Sequence, residues 1–155
     1  MTVRVAETKD IDTLIKLRLE YLAHHFGRLE PKAEQALRAQ LQGYFSAHLN
    51  HDFLAVLCED SGKVVSTAYL AINEKPANPR FITGKTATVL NVYTYPEYRK
   101  RGCATQVLEL LIQCAKNMNI SYIELSATEA GKPLYEKLGF QVWQQPETEM
   151  RLQLT

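Results

Sequence analysis

The chain has 155 residues, 46% of them apolar and 23% charged, with a formal net charge of +1. This is the size and make-up of one globular domain, spanning residues 1–155, with enough apolar matter for a real core. The near-neutral balance gives no reason to expect a nucleic-acid or membrane partner, and no apolar run reaches membrane-span length.

Read in order, residues 3–6 make a short first strand. Thr8 or Asp10 opens a helix with apolar residues at 11, 14, 15, 19, 22 and 26, closed by Gly27. Pro31 suits the first turn of a second helix that runs to His48 and stops near Asn50. Residues 53–59 and 64–72 are strands around Asp60-Ser61-Gly62-Lys63, a hairpin turn signal. Residues 73–86 carry Pro76, Pro79 and Gly84 and read as a loop. Gly84-Lys85-Thr86 imitates the end of a nucleotide-binding loop, but Pro79 stands where its first glycine is needed, and a strand follows instead of a helix.

The densest signal lies next. Residues 87–94 alternate as a strand, with Thr88, Leu90, Val92 and Thr94 on one face and Ala87, Val89, Asn91 and Tyr93 on the other. A turn at Tyr95-Pro96-Glu97 leads into Tyr98-Arg99-Lys100-Arg101-Gly102-Cys103-Ala104. A helix follows, with apolar residues at 104, 107, 108, 111, 112, 115 and 118. Three cations and a glycine thus precede a helix start, where free N–H groups and the positive dipole end favour an anion, above all a phosphate. Beyond it, residues 122–125 are a strand and 130–138 a short helix that tolerates Pro133 and is capped by Gly139. Residues 140–143 and 150–154 read as a closing hairpin, the second arm alternating Met150, Leu152 and Leu154.

The cysteines, Cys58, Cys103 and Cys114, form no C-x-x-C pair. Cys103 and Cys114 share a helix face but stand about 16 Å apart along it, too far to bridge. A reducing cytoplasm is the expected compartment, and the N-terminus lacks the apolar segment of a leader. Adjacent His24 and His25 point apart on a helix, and neither they nor His48 and His51 have a metal-ligand spacing, so no metal is expected.

The basic loop resembles the coenzyme A-binding motif of the GCN5-related N-acetyltransferase (GNAT) superfamily. That motif is Arg or Gln, two residues, Gly, one residue, then Gly or Ala, filled here by Arg99, Gly102 and Ala104. Leu134-Tyr135-Glu136-Lys137-Leu138-Gly139-Phe140 is similar to a second segment of the same superfamily. The two cover the C-terminal half, while the N-terminal half agrees only in its order of elements. The resemblance implies an α/β (α+β) domain. Its mixed sheet would have about seven strands flanked by about four helices, the fourth and fifth strands splaying apart to admit the cofactor.

It also implies a site. The amides of the pantetheine arm would pair along Val92, Tyr93 and Thr94. The pyrophosphate would lie on Arg99, Lys100, Arg101, Gly102, Cys103, Ala104 and Thr105, with Cys103 a small buried spacer. The Tyr135 hydroxyl would meet the departing thiolate. Full proton transfer from a phenol to a thiolate is uphill by about 2 kcal/mol on reference values, so a stabilising hydrogen bond stays open beside it. Direct attack also needs the amine neutral. Relatives often place a glutamate on the fourth strand, where this chain has no acid; Glu20, His24, His25 and Glu124 are the candidates for the base. Thr128 stands where relatives often have a cofactor-contacting asparagine. Tyr21, His24, Tyr44, Phe45 and Trp143 are candidates for the acceptor wall.

The implied activity is transfer of an acetyl group from acetyl-CoA to the primary amine of a small molecule or peptide, without an acyl-enzyme. A backbone N–H near Val92 would polarise the carbonyl. The alternative is a non-catalytic acyl-CoA-binding module of the same fold. Many relatives are dimers, which leaves a homodimer open.

Overall fold

The computed structural model describes residues 1–155. Its sheet has the order β1-β2-β3-β4-β5, built from β1 (Thr2–Val5), β2 (Phe53–Asp60), β3 (Lys63–Glu74), β4 (Lys85–Thr94) and β5 (Ile123–Glu124). Neighbours among the first four run antiparallel, and β5 joins β4 in parallel after a helical crossover. The helices are α1 (Ile11–Phe26), α2 (Pro31–His48), α3 (Cys103–Asn117) and α4 (Lys132–Lys137). No helix is long and apolar enough to cross a membrane.

Each face of the sheet carries its own core. On one side Leu14, Leu17, Phe45, Phe53, Leu57 and Tyr69 pack under α1 and α2. On the other Val56, Val65, Leu70, Val107, Leu108 and Leu111 pack under α3, and Leu134, Tyr135 and Leu138 of the α4 region lean on them. The alternation of β2 and β3 divides their residues between the two cores. Arg4 locks the start of the chain: its guanidinium donates to Asp10 at 2.8 Å and to Glu59 at 2.7 Å, joining β1, the short 3-10 turn before α1, and β2. The β2–β3 turn consists of Ser61 and Gly62, both with positive φ (51° and 80°). Such a pair matches the twist of the flanking strands.

Three expectations need correction. First, the sheet has five strands, not about seven: residues 138–155 adopt no strand, and the expected closing hairpin is absent. An alternating pattern forms a strand only where an edge pairs with it. Here β5 is two residues long, and Val142, Trp143, Met150, Leu152 and Leu154 lie exposed. Second, β3 and β4 extend into the expected loop, to Glu74 and back to Lys85, leaving a shorter connection.

Third, β4 does not alternate throughout. Tyr69 pairs with Leu90 and Thr67 with Tyr93, so Asn91 and Val92 together oppose Ala68, with Asn91 at φ 54°. This bulge inserts one residue and shifts the phase of every side chain after it. Val92 therefore joins Ala87 and Val89 on the α3 side, while Tyr93 turns towards α1.

Candidate active site

The bond ladder between β4 and β5 is short. It holds only Ala87 to Ile123 and Thr88 to Glu124, so β4 residues 89–94 have no partner on that side. The opening is bounded at one end by the basic loop, on its far side by Tyr135 of α4, and along one flank by α1.

At the loop end, a cavity of about 220 Å³ is lined by Thr94, Tyr98, Arg99, Lys100, Gly102, Cys103, Ala104, Thr105 and Leu134. Lys100 (φ 60°) and Gly102 (φ 82°) are both left-handed, which folds the loop back over the helix start. Arg99 Nε donates to the Thr94 carbonyl at 3.0 Å, tying the loop to the strand end. No side chain caps α3, and its first bond runs from Gln106 N–H to the Gly102 carbonyl at 3.0 Å. The N–H groups of Cys103, Ala104 and Thr105 are left without intrahelical acceptors, a ready seat for an anion. Cys103 itself is buried, its Sγ 3.3 Å from Met1 Sδ. Arg101 turns away, its guanidinium 5.2 Å from the Tyr98 ring centre. Val92 and Tyr93 sit farther up β4, on opposite faces of the sheet.

Tyr135 is half-buried, its ring edge-on to Phe140 at 5.9 Å. Burial and then the neighbouring Tyr21 push its pKa above the ordinary phenol value. A phenol so placed keeps its proton and serves as a hydrogen-bond donor. Thr128 accepts the Gly131 N–H through its Oγ1 at 3.1 Å, opening the turn into α4. A Cβ on Gly131 would lie 3.2 Å from both that hydroxyl and the Tyr135 ring, so the glycine keeps the tyrosine in place.

Along the α1 flank, Arg18 Nη1 donates to Asn91 Oδ1 at 3.3 Å, and its guanidinium lies 5.8 Å from the Tyr21 ring centre. Asn91 is 3% exposed, and its Nδ2 has no partner. Glu20 is half-buried, with Oε2 buried and without a partner. Burial, then a hydrogen bond with Glu20, holds the Tyr95 pKa far above the usual phenol range, and Tyr93 is raised by burial and by the same carboxylate. The other base candidates, His24, His25 and Glu124, are exposed. Of the expected acceptor wall, Tyr21 lies at the opening. Phe45 is a core residue, Tyr44 packs against Phe45, Phe53 and His48, and Trp143 is 77% exposed.

Arg18, Tyr95 and Tyr98 are additions to the residues expected from sequence. Arg18 had a legible signal: it lies seven residues after Ile11 and four after Leu14, a charge on the apolar stripe of its helix.

Residues 14–140 match the model of the acetyltransferase (GNAT) family. No curated protein matches the chain. Among solved structures, a predicted acetyltransferase with acetyl-CoA from Clostridium acetobutylicum is 32% identical over 99% of this chain and 95% of its own, with a TM-score of 0.81. A GCN5-related N-acetyltransferase from Ralstonia eutropha is 22% identical over 99% and 97%, TM-score 0.77. Glucosamine-6-phosphate N-acetyltransferase from Arabidopsis thaliana is 18% identical over 97% and 99%, TM-score 0.70, and shares the fold. With its parted β4 and β5, its open α3 start and a family match from α1 to Phe140, the chain belongs to the GNAT acetyltransferase family.

Proposed function

We propose that the protein moves an acetyl group from acetyl-CoA to the primary amine of a small molecule or peptide by direct attack. The observation that carries this reading is the opening beside β4 residues 89–94, flanked by the uncapped start of α3 and by Tyr135. The Clostridium acetobutylicum protein, solved with acetyl-CoA, supports the choice of donor. In this reading the pantetheine amides pair with the free edge of β4 at Val92, Tyr93 and Thr94. The pyrophosphate lies against the N–H groups of 103–105 and the cations Arg99 and Lys100, which line the cavity, while Arg101 is held over the Tyr98 ring. A backbone N–H near Val92, at the bulge where β4 slips its register against β3, polarises the thioester carbonyl.

The amine nitrogen bonds to the acetyl carbon as the C–S bond breaks. The departing thiolate receives a hydrogen bond from Tyr135 and takes up the second proton, the one the acetylated nitrogen loses, so that it leaves as the free thiol. We assign proton removal from the ammonium, directly or through water, to Glu20. It is the one base candidate half-buried against β4, and it is paired with no cation. We place the reaction in the cytoplasm, in keeping with three unpaired cysteines.

The test is thermal unfolding with and without acetyl-CoA, beside a Gly102→Glu variant. A ligand at a hundredfold excess over Kd adds about 2.7 kcal/mol to the native state, an easily read shift. Stabilisation of the wild type but not the variant is expected. No shift at millimolar acetyl-CoA would remove both the enzyme and the acyl-CoA-binding module. Where the shift appears, release of free thiol with an amine separates those two.

A further inference from the structure

Arg18 is half-buried between α1 and β4, and no carboxylate lies within ion-pair reach of it. It makes one hydrogen bond, to Asn91 Oδ1, out of the five N–H donors that a guanidinium carries. That bond fixes the Asn91 amide with its NH2 end unpartnered, on a residue only 3% exposed. Asn91 thus orients the guanidinium from beneath, its own NH2 shielded from solvent. The remaining Arg18 donors are charged and not sealed off, and an anionic oxygen is the acceptor that suits them best.

The donor's own phosphates are poorly placed for the task. Asn91 lies three residues before Thr94, about 10 Å up the strand from the point where the basic loop begins. Arg18 instead stands beside Tyr21, on the α1 flank of the opening. An anion reaching Arg18 therefore arrives with the molecule that meets the thioester.

Resting on the function proposed above, we infer that Arg18, oriented by Asn91, forms an anion-binding subsite of the acceptor pocket. The acceptor is then an amine that carries its own carboxylate or phosphate. An amine that carries its own carboxylate or phosphate would find that charge answered at Arg18, whereas a purely cationic amine would meet Arg18 as a repulsive neighbour.

The experiment measures thiol release from acetyl-CoA with matched acceptor pairs. For the carboxylate arm, each of the protein amino acids is set against its carboxamide. For the phosphate arm, 2-aminoethyl phosphate is set against ethanolamine, and glucosamine 6-phosphate against glucosamine. The expected result is at least one pair in which the anionic member has a kcat/KM roughly tenfold or more higher, as a charged hydrogen bond predicts. The arm in which it occurs identifies the anion. In Arg18→Gln that preference should vanish, and in Arg18→Lys it should partly survive, while stabilisation by acetyl-CoA is kept in both. The inference is overturned if the uncharged member of each acetylated pair is used as well or better. It is equally overturned if none of these acceptors is used by a protein that acetyl-CoA still stabilises. Absence of that stabilisation in the wild type would instead strike the proposed function.

Discussion

Tyr135 and Glu20 divide the proton chemistry of the proposed reaction, and each can be tested by a nearly isosteric change. Burial and then Tyr21 hold the Tyr135 phenol above the ordinary phenol value, so in the proposed reaction it would stabilise the thiolate as a donor without giving up its proton. Tyr135→Phe keeps the ring and its edge-on contact with Phe140. It should leave the acetyl-CoA-induced thermal shift unchanged while kcat falls ten- to a hundredfold, the value of a hydrogen bond to a charged group at about 1.5–3 kcal/mol. Unchanged turnover would remove Tyr135 from the mechanism. Glu20→Gln keeps the shape and removes the charge. The expected loss is about a hundredfold or more in kcat/KM near neutrality, partly recovered as rising pH supplies free amine from solution. A pH–rate profile parallel to that of the wild type would instead mark Glu20 as a support for Tyr95, whose hydroxyl it meets.

The start of α3 joins conformation to ligand binding at one residue. Gly102 has φ 82°, yet a Cβ there would come no closer than 3.8 Å to Gln106 Nε2. A substitution therefore meets backbone strain and not a clash. Gly102→Ala should cost about 1 kcal/mol in urea unfolding, with acetyl-CoA affinity reduced only modestly. Gly102→Glu should show the same stability loss but a far greater loss of affinity, because its carboxylate faces the phosphates. Equal affinity in the two variants would show that charge at this loop is irrelevant.

This loop and its flanking elements were legible in the sequence because their signals are local: an apolar stripe, a glycine before a helix, cations in a row. What escaped was set by neighbours. The bulge at Asn91 exists only in the register of β4 against β3, so strict alternation in the sequence concealed the turn of Val92 and Thr94 away from the side of Thr88 and Leu90. Met150, Leu152 and Leu154 alternate as well as any strand, but two residues of β5 give them no edge to join. Arg18 was visible as a misplaced charge, but its partner Asn91 lies 73 residues away in sequence.

At the scale of the whole molecule, buried titratable groups bound the pH range of stability. The Arg4 guanidinium, through its hydrogen bonds, holds the Asp10 carboxyl below its ordinary 3.8. A carboxyl lowered on folding stabilises above its unfolded pKa, and that contribution disappears as pH falls through the folded value. On the alkaline side, burial and then neighbouring Cys103 push the Cys58 thiol from 9.0 to about 11. Burial likewise raises Tyr69, Tyr95 and Tyr135 above 10.0. For these groups the sign is reversed. Their stabilisation is complete below the unfolded pKa and is lost as pH rises towards the folded one, because the unfolded chain releases protons that the native chain retains. The urea midpoint should therefore be flat from about pH 5 to pH 8, decline from about pH 9 as unfolded Cys58 ionises, and fall more steeply above about pH 10. Cys58→Ala should lower stability by about 1 kcal/mol below pH 8 for the lost buried volume, with the deficit narrowing at alkaline pH as the decline is delayed to the tyrosine range. Asp10→Asn should flatten the acid limb and leave the alkaline one as it was. A decline that begins at pH 9 in Cys58→Ala as in the wild type would assign it to another group and leave the thiol without a part in alkaline unfolding.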